Sequence, residues 1–178
     1  MKDKFTEGVH VSKIDFEKFS DRFDVRKLNM DDVESIYNFC RTNTQYYEYC
    51  GKELSVDLIE RDLTITPPGI PVEQKYYVGF FENDKTIAIM DLIDGYPDCD
   101  SAFIGFFMMN NELQGKGIGS KIVSEVLGYL HSQGFKNCQL GIDKENPQSN
   151  HFWRKNGFKV IREVVQEDGI ILVAEKQL

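Results

Sequence analysis

The stretch ELQGKGIGSKIV, residues 112–123, sets Gly115, Gly117 and Gly119 at every second position, directly before an apolar run with helical spacing. Glycine disfavours helix, so three at a helix mouth point to a backbone that something must approach closely. The free N–H groups of a helix start, beside the positive end of its dipole, suit a phosphate or pyrophosphate. Two phosphate-cradling templates fail on spacing. The P-loop requires Ser or Thr after its Lys, where Lys116 is followed by Gly117, and its leading glycine is missing. The dinucleotide fingerprint Gly-x-Gly-x-x-Gly ends on Ser120 when started at Gly115 and on Ile122 when started at Gly117. What does fit is Gln-x-x-Gly-x-Gly, as Gln114, Gly117 and Gly119, with Lys116 placed to add a charge. Cys40, Cys50, Cys99 and Cys138 lie far apart without the spacing of a zinc or redox site, so reduced thiols and no metal are expected.

The elements that hold this loop follow from periodicity. A short strand at FDVRKLN precedes a helix from Asp31 through Val33, Ile36, Tyr37 and Cys40. NTQYYEYCGKEL reads as an aromatic loop, and a helix runs from an N-cap at Ser55 to about Leu63 before the breaker TPPGIP. KYYVGFFE and KTIAIMDLID form a hairpin around NDK, and SAFIGFFMMN, apolar on both faces, is a central strand. Behind the glycines, Ile118, Ile122, Val123, Val126, Leu127 and Leu130 make one helical stripe. KNCQLGID is a strand, PQSNHFWRKNG a short helix closed by Gly157, and the remainder a hairpin turning at Asp168-Gly169. The apolar trail of Ile14, Phe16 and Phe19 fits a short helix or an extended arm equally.

At 178 residues, 41% hydrophobic and 28% charged, the chain reads as one ordinary globular domain. A formal net charge of −8 argues against nucleic acid, which needs a concentrated basic face, and mildly favours a cationic small molecule. The apolar runs fall far short of the ~20 residues of a membrane span, and the charged first 19 residues lack a signal core. A cytoplasmic protein with no membrane partner is therefore expected.

Gln114-x-x-Gly117-x-Gly119 resembles the acyl-CoA pyrophosphate loop of the GNAT N-acetyltransferase superfamily. NPQSNHFWRKNGF, residues 146–158, is similar to the second CoA segment of that family: an Asn, a small residue, an aromatic pair, then Gly-Phe. The resemblance covers about residue 23 to the C-terminus and leaves 1–22 as an extension of a domain at 23–178. It implies a GNAT-like α/β (α+β) fold, a mixed and mostly antiparallel twisted sheet of six to seven strands flanked by about four helices. It also implies transfer of an acetyl group from acetyl-CoA to a primary amine of a small molecule or protein. Backbone groups at Phe107, Met108 and Met109 would then hold the pantetheine arm, and one amide would polarise the thioester. Gln114, Gly115, Lys116, Gly117, Ile118, Gly119 and Ser120 would take the pyrophosphate. Asn146, Ser149, Asn150, Phe152 and Trp153 would complete the coenzyme site, with Asn146 bonding the arm.

An amine of pKa ~10.4 costs roughly 4.6 kcal/mol to deprotonate at pH 7, which makes a general base useful. Asp91 and Asp94, taken to face the acceptor side, and Glu48 and Glu53 are the candidates; Asp91 leads because it interrupts an apolar strand. Each also reads as a solvated carboxylate. The family's acceptor pocket falls at Tyr46, Tyr47, Glu48 and Tyr49, whose rings would hold an ammonium by cation–π contact or simply pack onto the sheet. One departure stands out: Trp153 occupies the place of the Tyr that protonates the leaving thiolate in many members, and an indole is no such acid. His151 is a conceivable substitute. Trp153 keeps open a catalytically idle acyl-CoA binding or sensing module, and a domain binding no CoA is a third class. The C-terminal hairpin offers an edge for a homodimer.

Overall fold

The aromatic and β-branched runs between residues 75 and 109 form three antiparallel strands, β2 (Lys75–Glu82), β3 (Lys85–Asp94) and β4 (Ser101–Met109). They form the middle of a seven-stranded sheet in the computed structural model, which describes residues 14–178. β1 (Asp24–Lys27) pairs with β2 at one edge. Beyond β4 come β5 (Asn137–Asp143), β7 (Gly169–Gln177) and β6 (Lys159–Gln166), so that β6 is the other edge, as expected of the C-terminal hairpin. Asn83 and Asp84 both take positive φ, 49° and 61°, the conformation a tight hairpin between β2 and β3 demands. Only β4 and β5 run parallel, because a helical crossover joins them.

That crossover is α4 (Ile118–Ser132), which buries Ile122, Val123, Val126, Leu127 and Leu130 against Met90, Leu92, Ile104 and Leu140 on one sheet face. On the other face α1 (Val33–Cys40) and α3 (Val56–Thr64) bury Ile36, Phe39, Ile59 and Leu63 against Tyr77, Ile89 and Met108. Ser55 caps α3, its hydroxyl accepting from the Leu58 N–H at 3.1 Å. α5 (Pro147–Lys155) follows β5. The N-terminal trail becomes one 3-10 turn, Phe16–Phe19, with Phe19 fully buried edge-on to Tyr129.

One expectation is overturned. The aromatic segment expected as a loop contains a helix, α2 (Thr44–Cys50), closed by Gly51 at φ +64°. Tyr46, Tyr47 and Cys50 stand at helical spacing, and the two tyrosines pack against the α1/α3 core. Thr, Tyr and Cys are indifferent helix formers, so tertiary packing outweighs local preference over these seven residues.

Candidate active site

β4 and β5 pair only from Ser101–Asn137 to Ile104–Leu140 and then part. At the parting point β4 carries a bulge: Leu92 pairs with Ile104 and Asp91 with Phe106, leaving Gly105 as the extra residue. The diverging strands open a cleft of about 710 Å³, floored by residues 104–109 and bounded by the glycine loop, α2 and α5. An isolated glycine inside a strand pattern signals such a bulge, so Gly105 is legible in the sequence even though the motif spacings pass it over.

The ladder fixes which backbone groups face the cleft. The Asn110 N–H donates to the Ile87 carbonyl at 2.9 Å, so the Ala88–Met109 pair does not exchange hydrogen bonds directly. By alternation the N–H and C=O of Phe107 and Met109 point away from β3, into the gap left by β5. The Met109 carbonyl is accordingly within 3.5 Å of the Gln114 side-chain amide. The side chains go elsewhere: Met108 is 4% exposed in the α1/α3 core, and Met109 packs in the α4 core.

The three glycines of the loop do different work. Gly115 and Gly117 have φ of +72° and +78°, and open space surrounds the position a β-carbon would take. They are glycine for the sign of φ. Gly117 is the N-cap of α4, and among the described residues no side chain caps it, which leaves the first turn's N–H groups without a side-chain partner beside the cleft-lining Gly119 and Ser120. At Gly119, by contrast, a β-carbon would lie 3.1 Å from Met109 Cγ and 3.4 Å from Phe152. That glycine lets α4 seat against β4 and α5, where the motif suggests a ligand-facing role.

Of the expected coenzyme residues, Phe107, Met108, Met109, Gln114, Gly115 and Gly117 line the cleft. So do Gly119, Ser120, Asn146, Ser149, Phe152 and Trp153, together with His151. Lys116, Ile118 and Asn150 are not among the lining residues. Asn150 instead donates to the carbonyls of Asp143, Lys144 and Asn146, stapling the start of α5. Asn146 is 5% exposed and its Oδ1 caps α5 by accepting the Ser149 N–H at 2.9 Å, so only its amide NH2 is left to offer a ligand. Trp153 is 6% exposed, ringed by Phe107, Phe152 and Phe158 with centroids 5.0–5.9 Å away. Its indole is a wall of the cleft and part of the core at once.

The acceptor candidates separate. Tyr46 lines the cleft, its ring edge-on to Phe106 at 5.5 Å. Burial pushes its hydroxyl well above the usual phenol range. Tyr47, Glu48 and Tyr49 are not lining residues: Tyr47 packs with the α1/α3 core and Glu48 points to solvent. Asp91 and Asp94, three apart on β3, lie on opposite sheet faces, which corrects the expectation that both face the acceptor. Asp91 is 9% exposed and lies behind the cleft floor: its Oδ2 meets Lys75 Nζ at 2.6 Å and occupies the space a side chain at Gly105 would need. Desolvation raises its carboxyl from 3.8 to about 6, although Lys75 pulls the other way. Thr42, Asn43, Phe106 and Gln148 also line the cleft, beyond the residues the motifs point to. Among the described residues no group of His, Cys, Asp and Glu could hold a metal, and no helix is long and apolar enough to cross a membrane.

A parallel pair splayed at a bulge, followed by a glycine loop opening a helix, is the GNAT-like arrangement that the two sequence motifs imply. A model of the acetyltransferase (GNAT) family matches residues 31–158, and the chain belongs to that family. No curated protein matches the sequence. Among solved structures, an acetyltransferase from Thermus thermophilus is 18% identical with a TM-score of 0.68, the match covering 88% of this chain and 97% of that one. The PaiA N-acetyltransferase from Thermoplasma acidophilum, solved in complex with coenzyme A, is 18% identical with a TM-score of 0.64, covering 88% and 99%. A GCN5-related N-acetyltransferase from Kribbella flavida is 20% identical with a TM-score of 0.61, covering 88% and 98%. At these identities the likeness is one of fold.

Proposed function

We propose that the chain transfers an acetyl group from acetyl-CoA to a primary amine by direct attack on the thioester. The observation that carries this is that one cleft brings together the outward-facing backbone of Phe107 and Met109 on β4 and the uncapped start of α4 behind Gly115 and Gly117. A pantetheine arm would pair with β4 where β5 has left, and the pyrophosphate would sit on the N–H groups of Ile118, Gly119 and Ser120. The PaiA N-acetyltransferase, which has the same fold, is solved in complex with coenzyme A, and this supports the choice of coenzyme. The Phe107 or Met109 amide would face the developing oxyanion.

The acceptor would enter along the wall made by the edge-on pair of Tyr46 and Phe106. No Asp or Glu is among the described lining residues, so the negative charge of the chain lies outside the cleft and the amine need bring no second cation. Asp91 contacts the reaction only through the bulge it supports. Amine deprotonation and thiolate protonation then fall to water, the second being small because a thiol of pKa ~8.5 favours protonation at pH 7 by about 2 kcal/mol.

The buried Trp153 favours one other reading, an acyl-CoA binding module without turnover. Acetyl-CoA at ~100 times its dissociation constant should add about 2.7 kcal/mol to stability under both readings, and a flat thermal shift refutes both. Thiol release that depends on an added amine, across a panel of aryl and alkyl monoamines, polyamines and peptide N-termini, supports the transferase. Saturable binding without such release establishes the module instead.

A further inference from the structure

Asn43 stands at the N-cap of α2, where an Asn ordinarily accepts a hydrogen bond from its own helix, yet its side chain makes no such bond. Asn29, Ser55 and Asn146 all cap in the ordinary way. The Oδ1 of Asn43 turns instead to the coenzyme loop and accepts from Gln114 Nε2 at 2.7 Å, across 71 residues of chain. Asn43 is 8% exposed and the bond is part-buried, so its loss would leave the Oδ1 without this partner at the cleft wall. A second link runs parallel, from Asn111 Nδ2 to the Thr42 carbonyl at 3.3 Å. The other end of Gln114, Oε1, accepts from Gln148 Nε2 on α5 at 3.0 Å. α2 is seven residues long and none of them is fully buried; Tyr46 and Tyr47 pack on the α1/α3 core, while the start of the helix is tied to the coenzyme loop by these links.

We propose that Asn43 is a positioning residue that ties the acceptor-side helix α2 to the coenzyme loop, so that seating the coenzyme fixes Tyr46 and the acceptor wall. The proposal rests on the reading of the cleft as the acetyl-CoA site. Its physical basis is that Gln114 is the first residue of the loop whose later N–H groups would receive the pyrophosphate. Whatever immobilises that loop also immobilises Gln114 Nε2, and with it Asn43. Coenzyme binding then lowers the entropy of α2 before an acceptor arrives.

The test is hydrogen exchange of the α2 amides, residues 44–50, in the full chain with and without saturating acetyl-CoA, beside the coenzyme dissociation constant by calorimetry. In the wild type the coenzyme should slow exchange in α2 at least tenfold. Asn43→Leu, compared at saturating acetyl-CoA, should reduce the coenzyme-dependent slowing to under twofold. Asn43→Asp, which keeps an acceptor oxygen for Gln114, should restore at least half of the slowing in logarithmic terms. A purely structural role would raise α2 exchange equally with and without coenzyme. If Asn43→Leu does not fold, Gln114→Met cuts the same link from the other side and, at saturation, should abolish the slowing. Slowing that survives either variant, or none in a wild type that binds acetyl-CoA, overturns the proposal and leaves the assigned function standing. A chain that does not bind acetyl-CoA overturns both.

Discussion

Gly105→Ala tests the account of the bulge. The residue is not among the glycines with positive φ, so alanine meets no backbone penalty and the substitution reports packing alone. Its β-carbon would lie 2.6 Å from Asp91 Oδ2 and 3.4 Å from Asp91 Cγ, against an ordinary carbon–oxygen contact of about 3.3 Å. About 0.7 Å must be found. Asp91 can yield only by leaving Lys75 Nζ, 2.6 Å away in a site where Lys75 is 2% exposed; otherwise the bulge moves and carries the Phe107 amide with it. Overpacking of this kind costs about 1–3 kcal/mol, and a shift approaching ~1 Å in groups aligned on a reacting atom costs about 100-fold in rate. Urea unfolding followed by the single Trp, buried beside the bulge, reads the first quantity, and amine-dependent thiol release reads the second. The control is the same substitution in Asp91→Ala/Lys75→Met, where the obstructing carboxylate is gone and Gly105→Ala should cost less than about 0.5 kcal/mol. Equal costs in the two backgrounds would refute the argument that Asp91 is what keeps position 105 bare.

Trp153→Phe should lower stability by about 1–2 kcal/mol through lost packing but keep kcat within about threefold, since the indole is no acid; a fall of about 100-fold in kcat with an altered pH profile would refute this. For Asp91 the raised carboxyl fixes the sign of a pH effect. Because the folded chain holds this proton up to about 6 against 3.8 when unfolded, the associated stability is fully present below pH ~4 and is lost as pH rises through 6. Wild type should therefore lose stability relative to Asp91→Asn as pH rises from about 4 through 6, and a gap in denaturation midpoint that moves the other way contradicts it. Gly117→Ala forces alanine to φ +78°, costing about 1–2 kcal/mol and weakening acetyl-CoA binding in calorimetry; unchanged affinity would separate the loop from the phosphate.

Much of the sheet is legible because strands buried on both faces must be continuous apolar runs rich in aromatic and β-branched residues, as residues 75–109 are, and because the α4 stripe repeats at helical spacing. The glycine loop is legible since φ sign is a local property and leaves its mark on residue type. Three things escape, each because a partner distant in sequence decides them. α2 is short and made of residues that prefer helix only weakly, so its existence depends on a core contributed by α1, α3 and β4. Asn150, by its position in the second motif, promises a ligand contact, yet its amide is consumed by carbonyls at the end of β5. Asn43 stands at the start of a segment that reads as a loop, where nothing in the sequence marks it out.

Asp91 shows most clearly where local reading stops. A carboxylate breaking an apolar strand is a sound candidate for chemistry, because an isolated buried charge is costly and has to be explained. The explanation here is geometric. β3 and β4 lose register at Asp91, Gly105 is bulged out toward the cleft, and the vacated volume is filled by Asp91 with Lys75 from β2 as its counter-ion. The bulge turns β4 away from β5, and that divergence exposes the backbone groups on which the proposed chemistry depends. On the proposed reading Asp91 would act one layer behind the reacting atoms. Its removal should alter the position of the Phe107 amide while leaving the protons of the acceptor to water, so that Asp91→Asn lowers kcat without removing an ionisation from the pH–rate profile.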